Sequence, residues 1–196
     1  TRMKLKTSIT IISGCLAIFL FIMLPIFLSI EKNKSENISK FQGSSFSLKD
    51  VNNNQISEKS FEGPLTALFF GFTHCPDVCP MTLNKLDIIV DRLKKDNKKI
   101  KVIFISIDPE RDTPEVMRDY INSFNNNFVG ITGEPEKIFL LSKSWGIISQ
   151  KIFSEGGEYT VDHSSPVILL KNGKFVDRLT HRDDIKQSLK IIKKYL

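Results

Sequence analysis

The sequence has few cysteines and histidines, the side chains that most often bind soft and borderline metal ions. Its 196 residues include three cysteines and three histidines. Cys15 lies in an apolar run, so one pair, Cys75 and Cys79, remains for thiol chemistry. No zinc-finger or RNP-like motif is present, and the net charge of +6 is spread along the chain without a basic stripe. These absences argue against a nucleic-acid partner.

Charged residues are absent from residues 9–30. A run of this length and character spans a bilayer as a helix. Three basic residues precede it, which by the positive-inside rule keeps residues 1–8 in the cytoplasm: Arg2, Lys4 and Lys6. The alternative is a cleaved signal peptide, but the run ends without a small-residue cleavage pattern. We predict an uncleaved transmembrane anchor.

The rest of the chain divides into a linker and one domain. Residues 31–40 are polar and charged, as in a flexible linker. Residues 41–196 alternate apolar strand patterns with amphipathic helical patterns. Strands are predicted at residues 66–72, 101–107, 128–132, 147–153, 167–170 and 175–179, helices at 83–95, 114–124, 182–196 and from 135 onward, and a hairpin at 46–57. This order predicts an α/β fold with a thioredoxin-like mixed sheet and an N-terminal hairpin.

The two cysteines fall where the first of these buried strands turns into a helix. Their spacing allows both sulfurs to point to one place if the helix begins near Cys75. Pro76 and Pro80 suit the first helical turn. A helix N-terminus lowers the pKa of a thiol and favours thiolate. Three interpretations stay open here: a structural disulfide or buried thiols, a redox dithiol, and a site for a soft metal.

Among the histidines, His163 is the candidate third ligand. It precedes the core strand at residues 167–170, in a loop that faces the dithiol turn of a thioredoxin-like sheet. His74 is interpreted as a turn residue that could tune the thiols. His181 is interpreted as a surface residue opening the last helix.

Two thiolates and one imidazole suit copper, because thiolate binds Cu(I) and imidazole accepts both oxidation states. The same set would hold zinc with a fourth ligand, which Asp77 or Asp162 would supply. Met81 is soft and adjacent to Cys79 in the chain, but it is assigned to apolar packing. Trp145 is assigned to the core.

Three separate segments carry a family resemblance: FFGFTHCPDVCPMTL, FISIDPERDTPEVMRDYINSF and YTVDHSSPVILL. They resemble, in that order, the signature regions of the Sco (SenC/PrrC) proteins. The resemblance implies a membrane-anchored copper chaperone of thioredoxin fold that helps assemble the binuclear copper centre of cytochrome c oxidase. The copper ligands that it implies are Cys75, Cys79 and His163. Pro166 lies near the position of the thioredoxin cis-proline, which favours thiol exchange.

The rival hypothesis is a thiol–disulfide oxidoreductase that reduces the copper-ligand cysteines of the same partner. Cys75 would attack and Cys79 would resolve the mixed disulfide. A thiol peroxidase is a weaker hypothesis, because no peroxidatic motif is present. The expected location is a bacterial inner membrane with the domain in the periplasm, or a mitochondrial inner membrane with the domain in the intermembrane space. The copper-centre subunit is the expected partner, with thiol reductant proteins as further candidates.

Overall fold

The computed structural model describes residues 21, 23–26, 29, 45–63, 65–164 and 166–196. The chain forms two compact units, Thr1–Lys40 and Phe41–Leu196. Within the first, the described residues are helical, while the rest of the predicted anchor and the predicted linker lie outside the description. Among the residues described, no helix is both long and apolar enough to cross a membrane.

The second unit is built on a seven-stranded sheet of order β2-β1-β5-β4-β3-β8-β9. The strands are β1 (Ser47–Asp50), β2 (Gln55–Ser57), β3 (Thr66–Gly71), β4 (Lys101–Ser106), β5 (Val129–Thr132), β6 (Ser149–Phe153), β7 (Tyr159–His163), β8 (Val167–Lys171) and β9 (Lys174–Leu179). The helices are α1 (Val78–Lys95), α2 (Pro114–Asn122), α3 (Pro135–Ser144) and α4 (Ile185–Lys193), with a short 3₁₀ turn at Glu58–Phe61.

Strand directions confirm the predicted mixed sheet. Strands β3, β4 and β5 run parallel in the middle of the sheet. The N-terminal hairpin β1–β2 joins β5 in antiparallel fashion, and the β8–β9 hairpin joins β3 in the same way. Parallel central strands bring the carboxyl ends of β3 and β4 to one edge, where α/β sheets place their sites.

Alternation along β3 divides the core between the two faces of the sheet. Ala67 and Phe69 pack with the buried stripe of α1, whereas Leu68 and Phe70 pack with α3 on the other face. All six positions of β3 are buried, which explains its continuous apolar sequence. Trp145 follows α3 and is buried in the second cluster, so its assignment to the core is confirmed.

Helix α1 begins earlier than the pattern at residues 83–95 predicts. Asp77 is its N-cap, so Cys79 and Pro80 are its second and third residues and Pro76 precedes it. Pro80 is tolerated because the first helical N–H groups have no partner within the helix. Thr113 caps α2 by accepting from the Val116 N–H at 3.3 Å, and α2 ends at Asn122.

The largest departure from the predicted elements is at residues 159–163. The sequence placed them in a loop, but they form β7, which pairs with β6 in a separate two-stranded sheet. His163 is the last residue of that strand and pairs with Ser149. The alternation of Tyr159 and Val161 with Thr160 and Asp162 is a strand signal that was overlooked in the sequence, and only Val161 is buried.

Candidate metal centre

The cysteine turn follows directly after β3. The Cys75 N–H donates to the Phe72 carbonyl at 3.2 Å, which closes the turn. The Cys79 N–H, in the first turn of α1, donates to Cys75 Sγ at 3.4 Å. Both cysteines are free thiols, Cys75 half-buried and Cys79 fully buried. The two thiols are therefore adjacent without being bonded.

The electrostatics of Cys79 differ from the prediction. Burial raises the pKa of the Cys79 thiol far above its ordinary value, and the neighbouring Cys75 raises it further. A hydrogen bond from the Phe72 backbone opposes this shift but does not cancel it. The predicted lowering by the helix N-terminus is thus wrong for Cys79, because desolvation dominates.

Gly71 leaves the space that the Cys79 sulfur occupies. A Cβ at this position would lie 2.7 Å from Cys79 Sγ and 2.8 Å from Phe104 Cε2. Real Cβ atoms do not approach other heavy atoms so closely. The last residue of β3 must therefore be glycine for the buried sulfur to lie where it does.

His163 lies opposite the thiols, although from a strand end and not from a loop. Its Nε2 is 3.9 Å from Cys79 Sγ, and its ring packs edge-on against Phe72 with centroids 5.8 Å apart. His163 Nδ1 is 3.1 Å from the Ser164 carbonyl oxygen, which only accepts hydrogen bonds, so Nδ1 carries the proton. Burial lowers the pKa of His163, outweighing the Ser164 carbonyl and Asp162. The neutral ring therefore presents the Nε2 lone pair to Cys79.

The other candidate ligands are not gathered at this point. Asp77 is the exposed N-cap of α1, and Asp162 is exposed on the opposite side of β7 from His163. Across the described ranges, no three His, Cys, Asp or Glu side chains stand close enough to hold a metal ion. The thiol of Cys79 and the imidazole of His163 form the pair that the fold brings together.

Met81, His74 and His181 are all exposed. Met81 is 56% exposed, so its assignment to apolar packing is wrong; it lies off the stripe of α1 that carries Cys79 and Leu83. His74 is an exposed turn residue, as predicted, with Nδ1 3.0 Å from Thr73 Oγ1. His181 is exposed, also as predicted, but it precedes α4.

A buried carboxylate behind the turn was not found from sequence. Asp112 accepts from Thr73 Oγ1 and Ser106 Oγ, both at 2.6 Å, and from the Thr73 N–H at 3.2 Å. Burial raises the pKa of Asp112, and these hydrogen bonds oppose the increase. Asp112 thus ties the start of the cysteine turn to the end of β4. An acidic residue shortly after a buried strand was the available signal.

A second network joins the loop after β4 to the β6–β7 hairpin. Asp108 accepts from Arg111 Nε at 2.5 Å and from the Tyr159 hydroxyl at 2.8 Å. Arg111 Nη1 donates to the Tyr159 carbonyl at 2.8 Å, and the guanidinium carbon lies 3.8 Å from the centroid of the Tyr159 ring. No role was predicted for these three residues from the sequence.

Comparison with known proteins assigns the family. The model of the SCO1/SenC family matches residues 34–196. The chain belongs to the SCO1/SenC family. A mitochondrial SCO1 homologue 1 from Arabidopsis thaliana is 40% identical over 130 residues, which are 65% of this chain and 39% of that protein. A SCO2-like protein from Rickettsia typhi is 39% identical over 137 residues, 68% of each chain.

Solved structures of the family share this fold. The structure of Bradyrhizobium japonicum ScoI with copper bound is similar with a TM-score of 0.71 and 37% identity, covering 79% of this chain and 99% of that one. This similarity confirms the predicted thioredoxin-like architecture. The copper in that structure is a property of the ScoI protein.

Proposed function

We propose that this member of the SCO1/SenC family is a copper chaperone that takes part in assembling the binuclear copper centre of cytochrome c oxidase. Cys75, Cys79 and His163 hold the ion, and residues 9–30 anchor the chain in a membrane. The observation that carries the proposal is the 3.9 Å approach of His163 Nε2 to Cys79 Sγ, with Cys75 alongside. The copper-bound ScoI relative supports the choice of metal.

The spacing of the two side chains suits shared coordination. Zinc binds sulfur and nitrogen ligands at about 2.3 and 2.1 Å, and if copper bonds are of similar length, two such ligands roughly 120° apart lie about 3.8 Å from each other. The observed separation of 3.9 Å is close to this value. Cys75, whose sulfur accepts from the Cys79 N–H at 3.4 Å, is the third ligand of the proposed set.

The burial of Cys79 fits a site in which this thiol loses its proton only when a metal ion is bound. Burial raises the pKa of Cys79, so the empty site keeps a neutral thiol. A bound cation reverses this preference, because a coordinating thiol loses its proton outright. Loading therefore releases protons. Since Cys75 and His163 are half-buried while Cys79 is buried, a recipient protein displaces the outer two ligands first.

The location follows from the proposed anchor. The domain lies in the periplasm of a bacterium or in the mitochondrial intermembrane space. In either place the recipient is the copper-centre subunit of the oxidase, and thiol reductant proteins keep Cys75 and Cys79 reduced. The relatives include both rickettsial and mitochondrial proteins, which supports these two compartments.

The dithiol also supports a second candidate function, thiol–disulfide exchange. The more accessible Cys75 thiolate attacks a partner disulfide and releases one partner thiolate. Cys79 then gives its proton to the partner thiolate released first, and its sulfur attacks the Cys75 sulfur, which releases the second partner thiolate and leaves a Cys75–Cys79 disulfide. The partner gains two electrons, which the dithiol loses. Such an enzyme has no need of His163 beside the thiols.

Copper titration of the reduced full-length chain in detergent separates the two functions. We expect the wild-type protein to bind one copper ion at this site, whether it is supplied as Cu(I) or as Cu(II). Binding of both oxidation states should be lost in the Cys75→Ser/Cys79→Ser variant. His163→Ala should weaken Cu(II) binding strongly and leave the fold close to that of the wild-type protein. Cys15→Ser, which removes the cysteine outside the domain, is the matched control and should bind like wild type. Weak copper binding combined with turnover of disulfide substrates would contradict the chaperone function and support the oxidoreductase function.

A further inference from the structure

The position of His163 depends on a hairpin that stands apart from the main sheet. In the described chain, β6 and β7 pair only with each other and share no ladder hydrogen bonds with the seven-stranded sheet. The thiols, in contrast, follow β3, which pairs on both sides. The main chain ties His163 to β8, which begins four residues later at Val167 and pairs with β3. The remainder of the hairpin is held against the domain by side-chain contacts.

The inner face of β7 shows where those contacts are. Alternate residues of a strand share a face, so Tyr159, Val161 and His163 point to one side. Val161 is buried, whereas Thr160 and Asp162 on the other side are exposed. His163 at one end of this face packs on Phe72, and Tyr159 at the other end binds Arg111.

Arg111 makes the polar connection between this face and the body of the domain. It donates to Asp108 and to the Tyr159 carbonyl and stacks on the Tyr159 ring. Asp108 is buried and also accepts from the Tyr159 hydroxyl, so three hydrogen bonds close a ring of three residues. Lys151 on β6 adds an ion pair with Glu110 at 2.6 Å.

The same short loop also holds the thiols. The guanidinium carbon of Arg111 is 5.8 Å from the centroid of the Phe72 ring, which in turn packs on His163. The adjacent Asp112 binds Thr73 at the start of the cysteine turn. Residues 108–112 thus contact both the cysteine turn and the β6–β7 hairpin that carries His163.

We propose that Arg111 is a positioning residue that holds the β6–β7 hairpin, so that His163 stays within reach of the metal held by the thiols. The inference deepens the proposed function and rests on it where copper is concerned. Soft Cu(I) is satisfied by thiolates, whereas Cu(II) depends on imidazole. Loss of the Arg111 contacts therefore weakens Cu(II) binding selectively.

The test compares Arg111→Met with Arg118→Met in the full-length chain. Arg118 is a matched control, because it is also half-buried and donates through Nε and Nη2, but to the Val51 carbonyl, on the β1–β2 turn. In Arg111→Met we expect Cu(II) affinity to fall by about 10- to 100-fold, the usual effect of removing a residue that supports a ligand. Cu(I) affinity should stay close to that of wild type. Arg118→Met should leave both affinities unchanged.

A copper-free measurement decides the structural half of the inference. Amide hydrogen exchange in residues 149–163 should accelerate in Arg111→Met and not in Arg118→Met. Unchanged exchange in Arg111→Met would overturn the inference, as would equal losses of Cu(II) affinity in the two variants. If the wild-type chain binds no copper, the proposed function fails, while the exchange rates still show whether Arg111 holds the hairpin.

Discussion

At the scale of single residues, the site depends on volume as much as on ligand chemistry. The Cys79 sulfur occupies the space beside Gly71 that any side chain would need, and the Phe104 ring closes the same space from the other side. The Cys79 sulfur is therefore packed as tightly as other core atoms, and its neighbours fix its position.

Gly71→Ala should be destabilising and should weaken copper binding. The added methyl would lie 2.7 Å from Cys79 Sγ, so either the sulfur or the Phe104 ring must move. Such overpacking costs about 1–3 kcal/mol. Urea unfolding and Cu(I) titration measure the two effects. Gly156→Ala is the control, since no atom lies within 4 Å of its added Cβ. Wild-type behaviour of Gly71→Ala in both assays would show that the site has room to spare.

At the scale of elements, α1 is fixed by a carboxylate on its buried side. Asp87 accepts from the Asn126 N–H at 2.9 Å and from the Asn125 N–H at 3.2 Å, and both amide side chains donate to it as well. Burial alone would raise the pKa of Asp87, but the hydrogen bonds from Asn126 and Asn125 outweigh it and lower the pKa. The helix that presents Cys79 is thereby joined to the loop before β5.

This attachment should depend on pH in a defined direction. Because the folded pKa of Asp87 is below the unfolded value of about 3.9, its contribution is complete above that value and is lost as pH falls through the folded pKa. Asp87→Asn should lower the free energy of unfolding by about 1–3 kcal/mol at pH 7, as for hydrogen bonds to a charged group. Denaturant unfolding at pH 7 and pH 3 measures this.

The difference between Asp87→Asn and wild type should shrink at the lower pH. The exposed Asp119 on α2 provides a control, and Asp119→Asn should match wild type at both values. A difference that stays constant from pH 7 to pH 3 would contradict the assignment of the effect to the Asp87 charge.

Sequence patterns predicted the elements that carry their own signal. The central strands β3 and β4 are continuous apolar runs, and the Asn172–Gly173 turn marks the β8–β9 hairpin, so these agree with the structure to within one or two residues. The β7 strand was missed because its alternating pattern covers only residues 159–162 and just one of its five residues is buried. The raised pKa of Cys79 was missed because the depth of burial depends on residues far along the chain, among them Phe104.

At the scale of the whole molecule, copper should act as a clamp between distant parts of the chain. The proposed ligands come from the turn before α1, from the first turn of α1 and from the end of β7, and no ladder pairs β7 with the main sheet. Binding to the folded form alone stabilises it by about 2.7 kcal/mol at a ligand concentration 100 times Kd. For a domain of this size that corresponds to a rise in Tm of roughly 5–11 °C.

Thermal unfolding of the full-length chain with Cu(I) and then with a chelator tests this clamp. The chelator should reverse the rise in Tm, and the Cys75→Ser/Cys79→Ser variant should show no rise at all. A rise of equal size in that variant would place the stabilising copper at another site.

The separation of Cys79 and His163 along the chain, 84 residues, also sets an order of events during synthesis. At about 5–20 residues per second, roughly 4–17 seconds pass between the appearance of Cys79 and that of His163. For that interval the nascent chain carries a dithiol without its imidazole. A metal ion or an oxidant that arrives early meets two thiols without the imidazole, so the complete site exists only after His163 has been made.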